Sequence, residues 1–163
     1  MIQIRMTPVL RLLATLLVSG AVASAAVAQQ PALAAAKADI EPMFAAMLTA
    51  AHARDAERHM AAYAQDPALV FIYNEAKFSG YDAVLAMTRQ AFSPGSDLAF
   101  QLQGEPQYQL LTPDWVMQTF FLTSTFTSPK GQAMKGRLSV SNLWHKRAEG
   151  WRIVYTHESN VVR

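Results

Sequence analysis

The sequence predicts an α+β domain: a curved, mostly antiparallel sheet forming a half-open cone, covered by about three N-terminal helices. Three observations carry this. Ile40, Met43, Phe44, Met47, Leu48 and Ala51 recur at the three- and four-residue spacing of one helical face. From Leu98 onward the chain reads as long strands, separated by turn signals at Thr112-Pro113-Asp114 and Ser128-Pro129-Lys130-Gly131. The helical patterns all precede those long strands, and such segregation distinguishes α+β from alternating α/β architectures. Long strands that bend curl into a cone, and a cone leaves an apolar cavity at its mouth.

A chain of 163 residues sets a prior of one domain. Residues 1–28 have the form of a secretory signal: Arg5 and Arg11, an apolar core Leu12–Val18, and Ala26-Val27-Ala28, which places cleavage after Ala28. The core is shorter than the ~20 residues a membrane span needs. A secreted or periplasmic location is therefore expected, with no stable membrane insertion after cleavage. Adjacent arginines are absent, so a twin-arginine route is not indicated. The chain has 14 Lys+Arg against 12 Asp+Glu, and the signal holds two of those Arg and no acid. The mature charge is thus balanced, which leaves no nucleic-acid footprint. The chain has no Cys, which excludes disulfides and thiolate ligands. The four His (His52, His59, His145, His157) show no ligand spacing. No metal and no cofactor are expected.

The elements follow in order. Gln29–Ala38 reads as a flexible lead-in. The first helix is expected to begin near Asp39 as cap, with Pro42 in its first turn, where a missing N–H does no harm. Asp55 can cap a second helix through about Ala64, with Met60, Tyr63 and Ala64 inward and Arg58 and His59 solvated. Asp66-Pro67 stops it. Leu69–Tyr73 is a buried strand by composition, and Asn74-Glu75 turns into a short return strand ending at Phe78. A third helix follows Ser79-Gly80, with Asp82 in its first turn and Val84, Leu85, Thr88, Ala91 and Phe92 inward. Leu98–Gln103 alternates, Gly104-Glu105-Pro106 interrupts as at a bulge, and Tyr108 and Leu110 resume. Trp115–Thr127 is rich in aromatic and β-branched residues.

Gly136–Asn160 is a long hairpin about Arg147–Gly150. Strict alternation places Leu138, Val140, Asn142, Trp144, Trp151, Ile153, Tyr155 and His157 on one face. Arg137, Ser139, Ser141, His145, Arg152, Val154, Thr156 and Glu158 fall on the other. The expected pairs are Lys146–Trp151, Trp144–Ile153, Asn142–Tyr155 and Val140–His157. Arg137 and Glu158 then read as an ion pair or a dimer contact on the polar face.

This order of elements resembles a known family, as do Asp66-Pro67-Ala68, Phe78-Ser79-Gly80-Tyr81-Asp82-Ala83, and Trp144…Gly150-Trp151-Arg152-Ile153-Val154-Tyr155-Thr156-His157-Glu158-Ser159. It is the nuclear-transport-factor-2-like superfamily, and within it the SnoaL-like domains of unknown function. The resemblance runs from Asp39 to Asn160 and sets 39–163 as the cone domain. It implies a cystatin-like cone and a homodimer formed through the outer sheet face. The superfamily includes ketosteroid isomerases, polyketide cyclases, dehydratases, epoxide hydrolases and members with no chemistry. The isomerases' catalytic Asp on the first strand falls at about Ile72 here. Their oxyanion-donating Tyr on the first helix has no counterpart in Ile40–Ala51. The resemblance therefore does not extend to that mechanism.

One constellation remains. His157 and Tyr155 are the catalytic candidates: an imidazole titrating near neutral pH and a phenol able to donate to an oxyanion. Tyr63, Tyr73, Asn142, Trp144, Tyr155 and His157 are the candidate pocket. The alternative is that His157 is a structural residue holding the chain end. Two functions follow. One is an accessory or binding module holding a small apolar ligand. The other is a cofactor-free lyase, isomerase or hydrolase using His157 as acid/base.

Overall fold

The computed structural model describes residues 8–128 and 130–162. The first seven residues of the expected signal, Arg5 among them, lie outside the described residues, as does Pro129 of the expected turn. The helices are α1 (Pro8–Ala53), α2 (Ala56–Met60) and α3 (Tyr81–Ala91). The strands are β1 (Val70–Tyr73), β2 (Ala76–Ser79), β3 (Ala99–Thr112), β4 (Trp115–Thr127), β5 (Ala133–Arg147) and β6 (Gly150–Val162). Among the described residues no helix is long and apolar enough to cross a membrane.

The first helix does not begin at Asp39. Residues 29–38, expected as a flexible lead-in, are helical and continuous with the rest of α1. Alanine has the highest helix propensity, so an Ala-rich stretch needs no cap to carry the helix on. The apolar stripe also extends backward, through buried Ala36 to half-buried Leu33, ahead of Ile40, Phe44 and Met47. Asp39 is exposed on the opposite side.

The second helix is shorter than expected. Asp55 caps it, its carboxylate accepting from the Arg58 N–H at 3.0 Å. It ends at Met60 because the next backbone groups join the sheet. Ala64 N–H donates to the Ile153 carbonyl at 2.9 Å, and Ile153 N–H donates to the Ala62 carbonyl at 2.9 Å.

One six-stranded sheet, ordered β2-β1-β6-β5-β4-β3, forms the other layer. All neighbours are antiparallel except β1 and β6, which run parallel. The expected interruption in β3 is present: the register with β4 shifts between Gln103 and Gln107, and Gly104 has φ of 71°. The concave face packs on α1 and α3. Its core includes Trp144, Ile153, Val116, Val140, Phe120 and Ile40, each at most 3% exposed.

The hairpin departs from strict alternation at one residue. Lys146–Trp151 and Trp144–Ile153 pair as expected. Leu143 then pairs with Tyr155, Asn142 with Thr156, Ser141 with His157 and Val140 with Glu158. Val154 is the extra residue of a β-bulge, and a bulge shifts every later side chain to the opposite face. Thr156 and Glu158 therefore point into the cone, and Tyr155 and His157 point outward.

The inner wall also needs a residue without a side chain. A Cβ on Gly136 would lie 2.5 Å from Ser124 Oγ and 2.6 Å from Asn160 Oδ1. Both contacts are closer than real side chains tolerate, and Gly136 is buried. Gly136→Ala is expected to destabilise the domain by about 1–3 kcal/mol, the range for overpacking. Thermal denaturation checks this, and an unchanged Tm would show that the wall yields freely.

Candidate functional site

Two adjoining chambers that share lining residues lie between the helices and the concave face. The inner one, about 90 Å³, is walled by α1 (Met47, Leu48), α3 (Met87, Thr88) and the sheet (Phe120, Val140). The outer one, about 640 Å³, opens between the Ser93–Leu98 segment and the ends of the long strands (Ser124, Phe126, Leu138). Phe71, Met87, Ala91, Phe100 and Glu158 line both chambers and form the waist between them.

Glu158 is the charged residue at that waist. Its backbone is held between β5 and β1, and its carbonyl accepts from Asn74 N–H at 2.8 Å. The residue keeps some solvent contact through the cavity. Its carboxyl group has no hydrogen-bond or ion-pair partner among the described residues. Burial in the apolar wall pushes its pKa up to about 7.

His59 also lines the inner chamber. Read from the sequence as solvated, it is largely enclosed instead, because the end of α2 packs against α1 and Phe92. Its Nδ1 lies 3.1 Å from the Met47 carbonyl, which can only accept, so Nδ1 carries the proton. Its ring meets Phe92 edge-on, with centroids 5.4 Å apart. Burial lowers its pKa and favours the neutral ring, in which Nε2 offers a lone pair.

A hydrogen-bonded ladder crosses the concave face beside this pair. Gln118 is fully buried on β4. Its Oε1 accepts from Trp144 Nε1 at 2.9 Å and from Asn142 Nδ2 at 3.2 Å. The indole can only donate, so it settles which way the amide faces. Gln118 Nε2 donates to the Tyr108 hydroxyl at 3.1 Å, and the Thr156 hydroxyl donates to Asn142 Oδ1 at 2.8 Å. The Tyr63 hydroxyl reaches Thr156, and burial holds its pKa above the ordinary value, with the nearby Glu158 charge adding to the effect.

The six residues expected to form one pocket do not come together. Tyr63 and Asn142 line the inner chamber, and Tyr73 lines the outer one. Trp144 is fully buried core, tied to Gln118. His157 and Tyr155 lie on the outer face, His157 exposed and Tyr155 half-buried. Arg137 is exposed there too, so the expected Arg137–Glu158 couple does not form: the bulge puts its members on opposite faces. Glu158 and His59 are the residues that the sequence reasoning missed.

The buried carboxyl has a consequence for stability. Ionising Glu158 costs more in the fold than in the open chain, so the fold holds this proton more tightly. Its contribution is full below the ordinary value of 4.5 and is lost as pH rises through about 7. Glu158→Gln cannot ionise. Relative to wild type it is expected to gain about 1–3 kcal/mol between about pH 5 and about pH 8. Urea denaturation at both pH values measures the difference; an equal difference at each would mean the carboxyl is well solvated.

The fold has structural counterparts. A nuclear transport factor 2 (NTF2-like) superfamily protein from Salmonella enterica serovar Typhimurium superposes with a TM-score of 0.69 at 19% identity, over 80% of this chain and 94% of that one. An uncharacterized protein with a cystatin-like fold from Caulobacter vibrioides gives 0.65 at 17% identity, over 77% and 89%. A hexachlorocyclohexane dehydrochlorinase (LinA) type 2 gives 0.69 at 12% identity, over 82% and 91%. At these identities the likeness is one of fold. Among curated proteins, none matches this sequence. The SnoaL-like domain family matches residues 29–163, nearly the whole of the cone and the helix that covers it, and the chain belongs to that family.

Proposed function

We propose that this protein binds a small, largely apolar molecule inside the cone. The observation that carries the reading is the waist: a lone carboxyl group set in a wall of Phe71, Met87, Ala91 and Phe100, where two chambers adjoin. A wall that served packing alone would gain from an apolar residue at position 158, because an unpaired buried carboxyl costs stability. The ligand that suits the site is mainly hydrocarbon, with one group able to hydrogen-bond at the waist. The inner chamber alone holds only a few atoms, so the body of the ligand lies in the outer one.

The same reading places the protein outside the cytoplasm, exported by residues 1–28 and cleaved after Ala28. It also gives the outer sheet face to a second copy of the chain. That face carries Phe121, 50% exposed, and the cross-strand row Met117, Leu143 and Tyr155, all half-buried. A half-exposed Phe on a sheet face stabilises an interface by removing apolar surface from water.

Two outcomes are expected. Native mass spectrometry of protein purified from its own host should show a bound small molecule, and Ala91→Trp, which fills the waist, should abolish it. A folded wild type that is always empty would count against the ligand. Light scattering should give twice the monomer mass, with Phe121→Asp shifting the protein to monomer. A wild-type monomer at high concentration would sink the dimer.

A further inference from the structure

We propose that the cone's ligand is an amine, held by its ammonium group against the Glu158 carboxylate where the two chambers adjoin. The proposal rests on the ligand-binding reading above and names the one polar group of that ligand. The balance of charge carries it. The ionisable side chains lining the outer chamber are Tyr73, Asp97 and Glu158, and neither chamber is lined by a Lys or Arg. Asp97 is already engaged: its carboxylate accepts from the Thr127 N–H at 2.9 Å and from the Thr127 hydroxyl. Glu158 has no such partner among the described residues. The outer chamber therefore carries a surplus of acid, and the unspent part of it lies at the waist.

No Lys or Arg faces Glu158 from the elements packed around it. From α1, His52 faces the inner chamber with its Nε2 2.8 Å from the Phe100 carbonyl. From α2, His59 gives its Nδ1 proton to the Met47 carbonyl, and burial favours its neutral ring. Tyr63, in the segment after α2, lies beside Thr156. From β1, Tyr73 accepts from Asn160 Nδ2 at 2.9 Å. The sheet presents Phe120, Leu122, Leu138 and Val140, none of which titrates. The α3 cation, Arg89, is exposed and paired with Glu57. Arg54 acts on Asp97, weakly, from outside both chambers.

The ligand class follows from these groups. A carboxylate buried alone has lost its water and gained no partner in return. An ammonium brought beside it gains from the same wall, since attraction between opposite charges grows as water is excluded. The rings of Phe71 and Phe100 at the waist add to this, because aromatic faces carry negative charge and attract cations. A carboxylic acid would meet like charge, and an alcohol would leave the charge of Glu158 uncancelled. Proton and ammonium compete for the one carboxylate. Burial pushes the Glu158 pKa up to about 7 and a bound cation pulls it back down, so binding near that pH releases a proton. The ligand is a lipophilic amine with one cationic nitrogen and a hydrocarbon body seated in the outer chamber.

The test uses the full chain and three probes that share one tail: octylamine, octan-1-ol and octanoate. Isothermal titration calorimetry reads their affinities. At about pH 8 the amine is charged, its nitrogen titrating near the ~10.4 of a lysine side chain. Wild type is expected to bind octylamine about tenfold or more tighter than octan-1-ol, with octanoate the weakest. Octylamine affinity should fall as pH is lowered through about 7, and titrations in two buffers should show proton release. Glu158→Gln should lose about thirtyfold or more of the octylamine affinity and far less of the octan-1-ol affinity. Octan-1-ol binding to wild type as tightly as octylamine would overturn the proposal and leave the ligand-binding reading standing. Failure of all three probes to bind would overturn both. An amine preference kept in Glu158→Gln would overturn the proposal and move the ammonium to Asp97 or the surface. Should Glu158→Gln not fold, the wild-type profile decides: an octylamine affinity that is level between about pH 5 and about pH 8 overturns the proposal.

Discussion

A strand that gains one residue over its partner must turn its later side chains over, and this molecule's interior depends on that rule. Val154 has no partner opposite it on β5. Before it, Trp151 and Ile153 point into the cone; after it, Thr156, Glu158 and Asn160 do. Without the bulge the inner wall would receive Tyr155 and His157, and Glu158 would face water. The placement of an acid in the cone is thus a property of backbone register. Pairing on both sides of β6 makes that register hard to slip.

The rest of the interior accommodates what the bulge delivers. Thr156 arrives beside Asn142, and each polar atom along the ladder to Tyr108 finds a partner of the required sense. Satisfied in this way, a polar row inside a core fixes one arrangement of side chains. Glu158 sits just past the end of the row, where no such partner waits. The wall thus sets a saturated ladder next to an unsaturated acid. His59 shows the same division within one ring, with Nδ1 committed to Met47 and Nε2 left over.

Most of the architecture was legible in the sequence because it rests on local rules. The helical stripe of Ile40–Ala51, the glycine interruption after Gln103 and the Glu149-Gly150 turn each declare themselves within a few residues. What escaped is set by partners far along the chain. Asp39 and Pro42 look like a helix start, yet the Ala-rich residues before them hold the helix, and Ala36 packs into the core. The second helix stops early because Ala62 and Ala64 bond to Ile153, about ninety positions away. The site was lost to the bulge. Ile153-Val154-Tyr155, three apolar residues in succession where alternation should rule, was the one local sign of it. With the register displaced, Glu158 was assigned to the polar face and His157 took its place in the reasoning.

The pairing of β1 with β6 carries a further meaning, for the order in which the molecule is built. β1 lies between the second and third helices in the chain, and apart from β2 its sheet neighbour is the last strand, some eighty residues on. Such a closure has a large entropic cost, and topologies rich in distant pairings fold slowly. The hairpins β3–β4 and β5–β6 are joined by short connections and close early. Apart from β2, β1 has no strand to pair with until Tyr155–Glu158 is in place. The two chambers, which need β6 for part of their wall, are therefore expected to form late in folding.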